Sequence, residues 1–418
     1  MLAGGSALKG MTGAVALAAV LAACSSSGSQ VATSAAPTTT DTTTTTPTTL
    51  PVTTTTMIAT TTTQLGVRIT VSVPGDPEAQ AALSALYGWI GDRTLSVPSV
   101  PTGLLEQAAT ARPVVPMTLA AAWYTADVPG GRVGVATLDD DIVLLADEGA
   151  GWAIVGARLA RFGLAPWYGP PVRHVLIVGT DARPGQGQRL FRADSIHIVS
   201  SNLAAHAGSI VGFPRDTYVI TSYGHDKLTH VNATSQRHTD ELLDITRNLS
   251  GLPVEGYFIT GFLGFTRLVD DLGGIVVDVP FGMAEELSGA FLARGIQLLW
   301  GPNALAFSRN RHIDGGDFTR SFHQGMVILA GLDDAQERDI TTLPELVGVL
   351  LQRTWTDLSL GDVLTLAATA FEIDRSAVTN VVLPGQSKMV WGSSFVILDV
   401  AGATAIFDGL DDGILDGG

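Results

Sequence analysis

His174-Val175-Leu176-Ile177-Val178-Gly179, followed by Thr180-Asp181-Ala182-Arg183, is the stretch on which the fold turns. The apolar run is of the type expected for a strand buried on both faces. Polar and charged residues begin where the run ends. A loop rich in Gly and Arg follows, then Phe191-Arg192-Ala193-Asp194, and Ser195 to Ser200 alternates as a strand. Ser209 to Phe213 reads as another strand and ends in Pro214-Arg215-Asp216. The strand boundaries therefore present Asp181 with Arg183, Arg192 with Asp194, and Arg215 with Asp216. In open α/β sheets, ligands gather at strand ends.

Further on, Asp240 to Leu249 reads as a helix and Val254 to Thr260 as a strand. Gly261 to Leu272 reads as an amphipathic helix closed by Gly273-Gly274, and Ile275 to Val279 as another buried strand. The densest charged cluster is Ala304-Leu305-Ala306-Phe307-Ser308-Arg309-Asn310-Arg311, then Gly315-Gly316-Asp317-Phe318-Thr319-Arg320 and Gln324. A helix from Phe318 to Leu332 puts Arg320 and Gln324 four apart on one face. Helices near Pro344 to Gln352 and Leu360 to Phe371 follow, then strands near Val378 to Leu383 and Phe395 to Leu398.

Upstream, residues 65–166 read as a small α+β domain. Val67, Ile69, Val71 and Val73 alternate as a strand, and Glu78 to Ile90 and Thr118 to Tyr124 have helical character. Val133 to Leu138, Ile142 to Ala146 and Trp152 to Val155 form a three-stranded meander, with a solvated turn at Asp139-Asp140-Asp141. That acidic turn lacks the glutamate spacing of a calcium loop. Trp167-Tyr168-Gly169-Pro170-Pro171 marks the boundary with the next domain.

The N-terminal end reads as an export signal. Lys9 precedes an apolar stretch from Met11 to Ala23, too short to span a bilayer as a stable helix. It ends in Leu21-Ala22-Ala23-Cys24, which resembles the lipobox of bacterial lipoproteins, and Cys24 is the sole cysteine of the chain. Lipidation of Cys24 implies anchoring to the outer face of the cytoplasmic membrane. Residues 25–64, mostly Thr, Ser, Ala and Pro, lack the apolar content needed to fold and read as a disordered tether.

Of the 418 residues, 46% are hydrophobic, enough for two or three domains with sizeable cores. The 40 acidic residues outnumber the 24 basic ones, giving a net charge of −16. Such a chain is a poor fit to nucleic acid, whose binding relies on basic surface. One cysteine excludes an internal disulfide framework and a multi-cysteine zinc site. His230, His238, His312 and His323 match no metal-ligand spacing. Only Lys9, Lys227 and Lys388 are lysines, so 24 − 3 = 21 basic residues are arginines, whose planar fork grips phosphate oxygens in pairs.

Taken in order, Gly179-Thr-Asp181-Ala-Arg183, Arg192-Ala-Asp194, Pro214-Arg215-Asp216, Arg309-Asn-Arg311 and Gly316-Asp317-Phe-Thr-Arg320 resemble the LytR-CpsA-Psr family. Each motif is weak alone; five in this order, across residues 172–335, are strong. The resemblance implies an α-β-α sandwich with residues 336–418 as a C-terminal extension packed on it. It also implies an extracytoplasmic phosphotransferase that moves a glycopolymer-phosphate from a polyprenyl-pyrophosphate carrier onto a peptidoglycan hydroxyl. By motif, Asp181 and Asp194 would hold Mg²⁺. Arg183, Arg215, Arg309, Arg311 and Arg320 would bind the pyrophosphate, with Arg192 and Gln324 as supporting residues. Asp181, Asp194, Arg215 and Arg311 would carry catalysis.

Some features depart from the family pattern. A lipoprotein-type signal stands where family members usually carry a transmembrane helix. The segment Lys227-Leu-Thr-His-Val-Asn232-Ala lacks the usual form, which leaves open a non-catalytic polyprenyl-phosphate-binding lipoprotein scaffold. Arginine in place of lysine, with high alanine and glycine, fits a high-GC actinobacterium and favours an arabinogalactan or capsule-like polymer over wall teichoic acid.

Overall fold

The computed structural model describes residues 66–311 and 313–415. The expected signal, Cys24, the tether and His312 lie outside the described residues. Among those described, no helix is long and apolar enough to cross a membrane.

The apolar run becomes β1 (Val172–Thr180), the interior of a six-stranded mixed sheet. Its partners are β2 (Ala193–Asn202) and β3 (Ala207–Gly212), both joined antiparallel. On the other side, β4 (Tyr257–Thr260) lies parallel to β1. After β4 come the helices α1 (Phe262–Asp271), α2 (Gly301–Arg309), α3 (Asp317–Gln336) and α4 (Leu343–Arg353). The chain then adds β5 (Trp355–Thr356), α5 (Leu360–Ala370) and β6 (Val378–Val382). The sheet order is β5-β4-β1-β2-β3-β6, with β6 parallel to β3. The central strands are apolar on both faces because helices cover both. Leu176, Ile196 and Ile198 pack with Leu228, Leu242 and Phe407 on one side, while Val199 and Ile210 meet Ile328 and Leu332 of α3 on the other. This is the expected α-β-α sandwich.

Residues 336–418 are more than an extension packed on that sandwich. They supply both edge strands of the sheet and two of the helices beneath it, because β5 and β6 cap unpaired edges that would otherwise be open. Ile275–Val279 is also placed differently from expectation. Among the described residues it pairs with Gly295–Leu299 alone, in a two-stranded antiparallel sheet apart from the main one, and its burial alternates rather than running on both faces.

The N-terminal unit departs from expectation in three places. Thr118 to Tyr124 is not helical: Met117–Ala120 lies parallel to Ile69–Ser72, and Ala122–Val128 pairs antiparallel with Gly131–Leu138. The helix preference of three consecutive alanines is small and yields to strand pairing. The meander therefore has four strands, Ala122–Val128, Gly131–Leu138, Asp141–Asp147 and Ala153–Arg158. The acidic turn is solvated only at Asp139 and Asp140; Asp141 is fully buried. It accepts hydrogen bonds from the Tyr87 hydroxyl at 2.8 Å and from the Arg161 backbone and Nε at 2.8 and 3.1 Å.

One face of this four-stranded sheet packs on its own helix, Pro77–Gly91. The other contributes Val133, Val135 and Leu144 to a core shared with Leu346, Val347 and Leu364 of α4 and α5. The small unit thus braces the two helices that close the cavity described next.

Candidate functional site

The strand ends build the site. The backbone N–H of Asp181, just past β1, donates to the Arg192 carbonyl at 3.0 Å and closes the loop between them. Gly179 pairs with Ser195 but Thr180 pairs with Ala193, so Asp194 is the additional residue of a β-bulge. Bulges re-aim side chains that strict alternation would point elsewhere. Asp194 and Ser195, neighbours in sequence, accordingly both line the cavity.

Asp181 is held by Arg192. Its carboxylate accepts the Arg192 backbone N–H at 3.1 Å and Nε at 2.9 Å. The loop is pinned from below by Asn232, which is fully buried. Asn232 Nδ2 donates to the carbonyls of Arg189 and Phe191, both at 2.7 Å, and its Oδ1 accepts from Thr239 at 2.8 Å.

Arg215, just beyond β3, is the hub. Its Nη1 donates to Asp194 Oδ1 at 2.7 Å, and its backbone N–H donates to Asp317 Oδ2 at 3.1 Å. Its Nε lies 3.6 Å from Asp317 and 3.8 Å from Asp216. Burial alone would lower the Arg215 pKa, but Asp194, Asp317 and Asp216 outweigh it and raise it. Gly315 and Gly316, with φ of 81° and 53°, turn the chain in the left-handed region so that α3 starts at Asp317. One turn later Arg320 pairs with Asp317 at 2.5 Å. Arg320 is only 4% exposed. Burial lowers its pKa; Asp317 opposes this, while nearby Arg215 and Arg311 push the same way as burial.

Among the described residues, the buried Nε–H groups of Arg215 and Arg320 have no hydrogen-bond acceptor, and the buried Asn310 Oδ1 has no donor. An unsatisfied buried donor costs about 1–3 kcal/mol, and more when charged. Arg215, Arg320 and nearby Arg311, offset in part by Asp194, Asp317 and Asp216, form a cradle whose spare guanidinium donors suit an anion.

Beside this cradle opens a long apolar cavity between one face of the sheet and α1, α3, α4 and α5. Its empty space, including the part open to solvent, is about 1510 Å³. Ile177, Phe265, Leu268, Val327, Leu350 and Val363 typify its walls. Asp194, Gln324 and Arg309 bring polarity to it. Gln324 Nε2 donates to the carbonyls of Asp194 at 3.2 Å and Ser308 at 3.1 Å, fastening α3 to β2 and α2. The Arg309 guanidinium lies 4.7 Å over the Phe262 ring. At the start of β1, Arg173 is buried and tied to Glu255 at 2.9 Å and to Thr365 at 2.9 Å. The whole has the polarity of an amphiphile: an anionic head and a long apolar tail.

The structure therefore brings together Asp181 with Arg192, and Asp194 with Arg215, Arg320 and Gln324, with Arg309 in the cavity wall. Arg311 is exposed, within electrostatic reach of Arg320. Arg183 stands apart on the exposed loop, with no partner for its guanidinium among the described residues. Three supporting residues gained no definite role from sequence. Asp317 joins the two buried arginines. Thr229 Oγ1 donates to Asp194 Oδ1 at 3.3 Å, and Lys227 Nζ lies 3.2 Å from Asp216. The spacing Lys227, Thr229, Asn232 was a readable signal: each of the three reaches a different part of the site. Among the described residues no group of three or more His, Cys, Asp or Glu side chains is placed to hold a metal. His197 and His323 are buried, and burial pushes both down to about 4. His230 pairs with Asp226 at 2.7 Å.

Comparison with known proteins follows from this geometry. The chain is 27% identical over 220 residues to the polyisoprenyl-teichoic acid–peptidoglycan teichoic acid transferase TagV of Bacillus subtilis, covering 49% of this chain and 56% of TagV. It is 30% identical over 222 residues to the polyisoprenyl-teichoic acid–peptidoglycan teichoic acid transferase TagU of Bacillus licheniformis, covering 52% of this chain and 70% of TagU. The chain thus spans between about half and about two thirds of the length of these curated relatives. The crystal structure of B. subtilis TagV shares the fold, with a TM-score of 0.51 and 21% identity over 58% of this chain and 96% of that one. Residues 172–410, more than half of the chain, match the LytR_cpsA_psr family model, and the protein is a member of the LytR-CpsA-Psr family.

Proposed function

We propose that the protein is an extracytoplasmic phosphotransferase that moves a glycopolymer-phosphate from a polyprenyl-pyrophosphate carrier to a hydroxyl of peptidoglycan. The observation that carries this reading is the junction, at Asp194, of the Arg215–Asp317–Arg320 cluster with a large apolar cavity. A polyprenyl diphosphate needs both, and the names of the curated relatives fit it. Charge-assisted bonds to the diphosphate supply roughly 1.5–3 kcal/mol each.

In the proposed reaction the acceptor oxygen attacks the phosphorus that bears the glycan. A new P–O bond forms, the bond from that phosphorus to the bridging oxygen breaks, and polyprenyl phosphate leaves with the electron pair. The hydroxyl proton passes to a carboxylate or to the departing phosphate, and nothing is oxidised or reduced. Arg215 and Arg320 face the charge that builds on the phosphoryl oxygens, already oriented by Asp194 and Asp317.

Mg²⁺ fits the donor set, since it takes one or two carboxylates plus phosphate oxygens and water. Asp181 and Asp194 sit on adjacent strand ends, and both side-chain hydrogen bonds that Asp194 accepts among the described residues go to Oδ1, sparing Oδ2. These two residues would hold the ion, which supplies charge neutralisation to the diphosphate when bound. Lipidation at Cys24 would keep the enzyme at the outer face of the cytoplasmic membrane, where its donor resides. The Lys227 segment does not favour a scaffold, since Lys227, Thr229 and Asn232 all contact the site.

The test is transfer from a lipid-linked glycan diphosphate to peptidoglycan with Mg²⁺ and with EDTA. Transfer that requires Mg²⁺ and is abolished in Asp194→Ala and Arg215→Ala is expected. Unchanged turnover in both variants overturns the reading. Membrane fractionation of Cys24→Ser checks the anchor, with release from the membrane expected.

A further inference from the structure

Next to the cradle, outside the lining of the cavity, stands a ledge of aromatic rings, with Trp391 and His225 exposed, Tyr218 half-buried and Phe395 buried beneath them. The hairpin Gly385–Val390 and Ser393–Leu398 carries Trp391 at its tip and Phe395 midway along its second strand. The neighbouring hairpin Tyr218–Thr221 and Gly224–Lys227 contributes Tyr218 and His225. Tyr218 stacks on His225 with centroids 5.4 Å apart, meets Phe395 edge-on at 5.5 Å, and tilts toward Trp391 at 6.3 Å. The Tyr218 hydroxyl lies 2.7 Å from His225 Nδ1, which fixes both rings.

Trp391 is 73% exposed and sits at φ 49°, followed by Gly392 at φ 78°. A two-residue hairpin turn with both φ values positive favours Asn-Gly; a bulky ring in the first position is a steric outlier. Such strain persists where the surrounding structure enforces it, and it clusters at functional sites. Here it holds a large apolar ring out in water, where it gains nothing from burial.

The ledge is physically continuous with the cradle. Lys227 Nζ is 5.6 Å over the Phe395 ring and 3.2 Å from Asp216, which lies beside Arg215. The Val396 backbone N–H donates to the Asp216 carbonyl at 2.8 Å, hooking the Trp391 hairpin onto the Arg215 loop. None of the ledge residues lines the apolar cavity. In-line displacement at phosphorus places the attacking and leaving oxygens on opposite sides. With the tail of the leaving polyprenyl phosphate in the cavity, the attacking hydroxyl must approach from outside it, and the ledge adjoins the Arg215 loop outside the cavity lining.

We propose that Trp391, Tyr218 and His225 form the acceptor subsite, a platform on which a hexopyranose ring of the peptidoglycan glycan strand stacks and so presents its hydroxyl to the cradle. A sugar's axial C–H groups carry partial positive charge and suit the negative face of an aromatic ring. The imidazole of His225 and the ammonium of Lys227 offer polar contacts to the sugar's edge. This subsite rests on the transferase reading above.

The experiment uses the full chain with Trp391→Ala and, as a conservative control, Trp391→Phe. Three readouts are taken: transfer kinetics with varied acceptor, direct binding of soluble, stem-free GlcNAc–MurNAc oligosaccharides by saturation-transfer NMR, and co-sedimentation with anionic phospholipid vesicles. Trp391→Ala is expected to raise acceptor KM about tenfold, equal to about 1.4 kcal/mol. Donor KM is expected to be unchanged, oligosaccharide binding to be lost, and Trp391→Phe to recover most of both. Tyr218→Leu provides a second variant with the same expected split. An unchanged acceptor KM and undiminished oligosaccharide binding in both variants overturns the proposal. So does loss of binding to anionic vesicles with oligosaccharide binding intact, which would make the ledge a lipid contact. Should wild type transfer nothing yet bind oligosaccharide through Trp391, the transferase reading fails while the glycan platform stands.

Discussion

Asp317→Asn isolates the electrostatics of the cradle. Asparagine keeps the shape and one acceptor oxygen, so the backbone N–H of Arg215, donating at 3.1 Å, retains a partner. What is lost is the charge between two guanidinium groups, one of them only 4% exposed. Removing one member of a buried ion pair costs about 3–5 kcal/mol. The Asp317 side chain is 21% exposed, which places the expected loss near the lower end, about 3 kcal/mol. At about 2–4 °C per kcal/mol for domains of this size, the melting temperature should fall by about 6–12 °C. A bound diphosphate would restore negative charge at the same place. Inorganic pyrophosphate at about 100 times its wild-type Kd should contribute about 2.7 kcal/mol to the wild type, and at that same concentration its effect should be larger in the variant. The assay is thermal melting by circular dichroism, at constant ionic strength, with and without pyrophosphate. A variant that melts within about 2 °C of wild type, or equal pyrophosphate shifts in both proteins, would show that Asp317 does not stand in for the ligand's charge.

Two other expectations follow from the same structure. Asn232→Ala leaves the Arg189 and Phe191 carbonyls without their partner and should cost about 1–3 kcal/mol. Hydrogen exchange should then accelerate across residues 182–191 and donor KM should rise; unaltered exchange there would mean that the loop is held well enough by Thr180 Oγ1, which donates to the Gln188 carbonyl at 2.6 Å, and by Gln188 Nε2, which donates to the Arg183 carbonyl at 2.9 Å. Acid should destabilise the fold as pH falls from about 6.5 toward 4, since His197 and His323 have folded values near 4, so the unfolded chain binds the extra protons. Asp333, pushed up to about 6 mainly by burial, acts in the opposite sense, contributing stability at low pH that is lost as pH rises through about 6. In urea titrations, His323→Phe should flatten the acid slope and Asp333→Asn should steepen it; no change in slope with either variant would contradict the burial argument.

The sequence by itself determined the framework. The apolar run of β1 and the Gly-Gly end of α1 are local signals, set by burial and turn chemistry, and they survive in the structure as read; β2 is a strand as expected, but it is buried on both faces rather than alternating. The motif order likewise points to Asp181, Asp194, Arg215 and Arg320 as a group. Where only weak propensity was on offer, as in the alanines of residues 120–122, strand pairing prevailed. The tertiary structure alone decided which charges meet. Arg192 belongs to Asp181 and Arg215 to Asp194; a β-bulge turns Asp194 to the cavity; Asp317 is the bridge between two arginines. No local pattern encodes these pairings, because charge partners act across space between segments up to about a hundred residues apart. The ledge is of the same kind, since its rings come from two hairpins far apart in the chain and become one surface only when the Trp391 hairpin docks on the Arg215 loop.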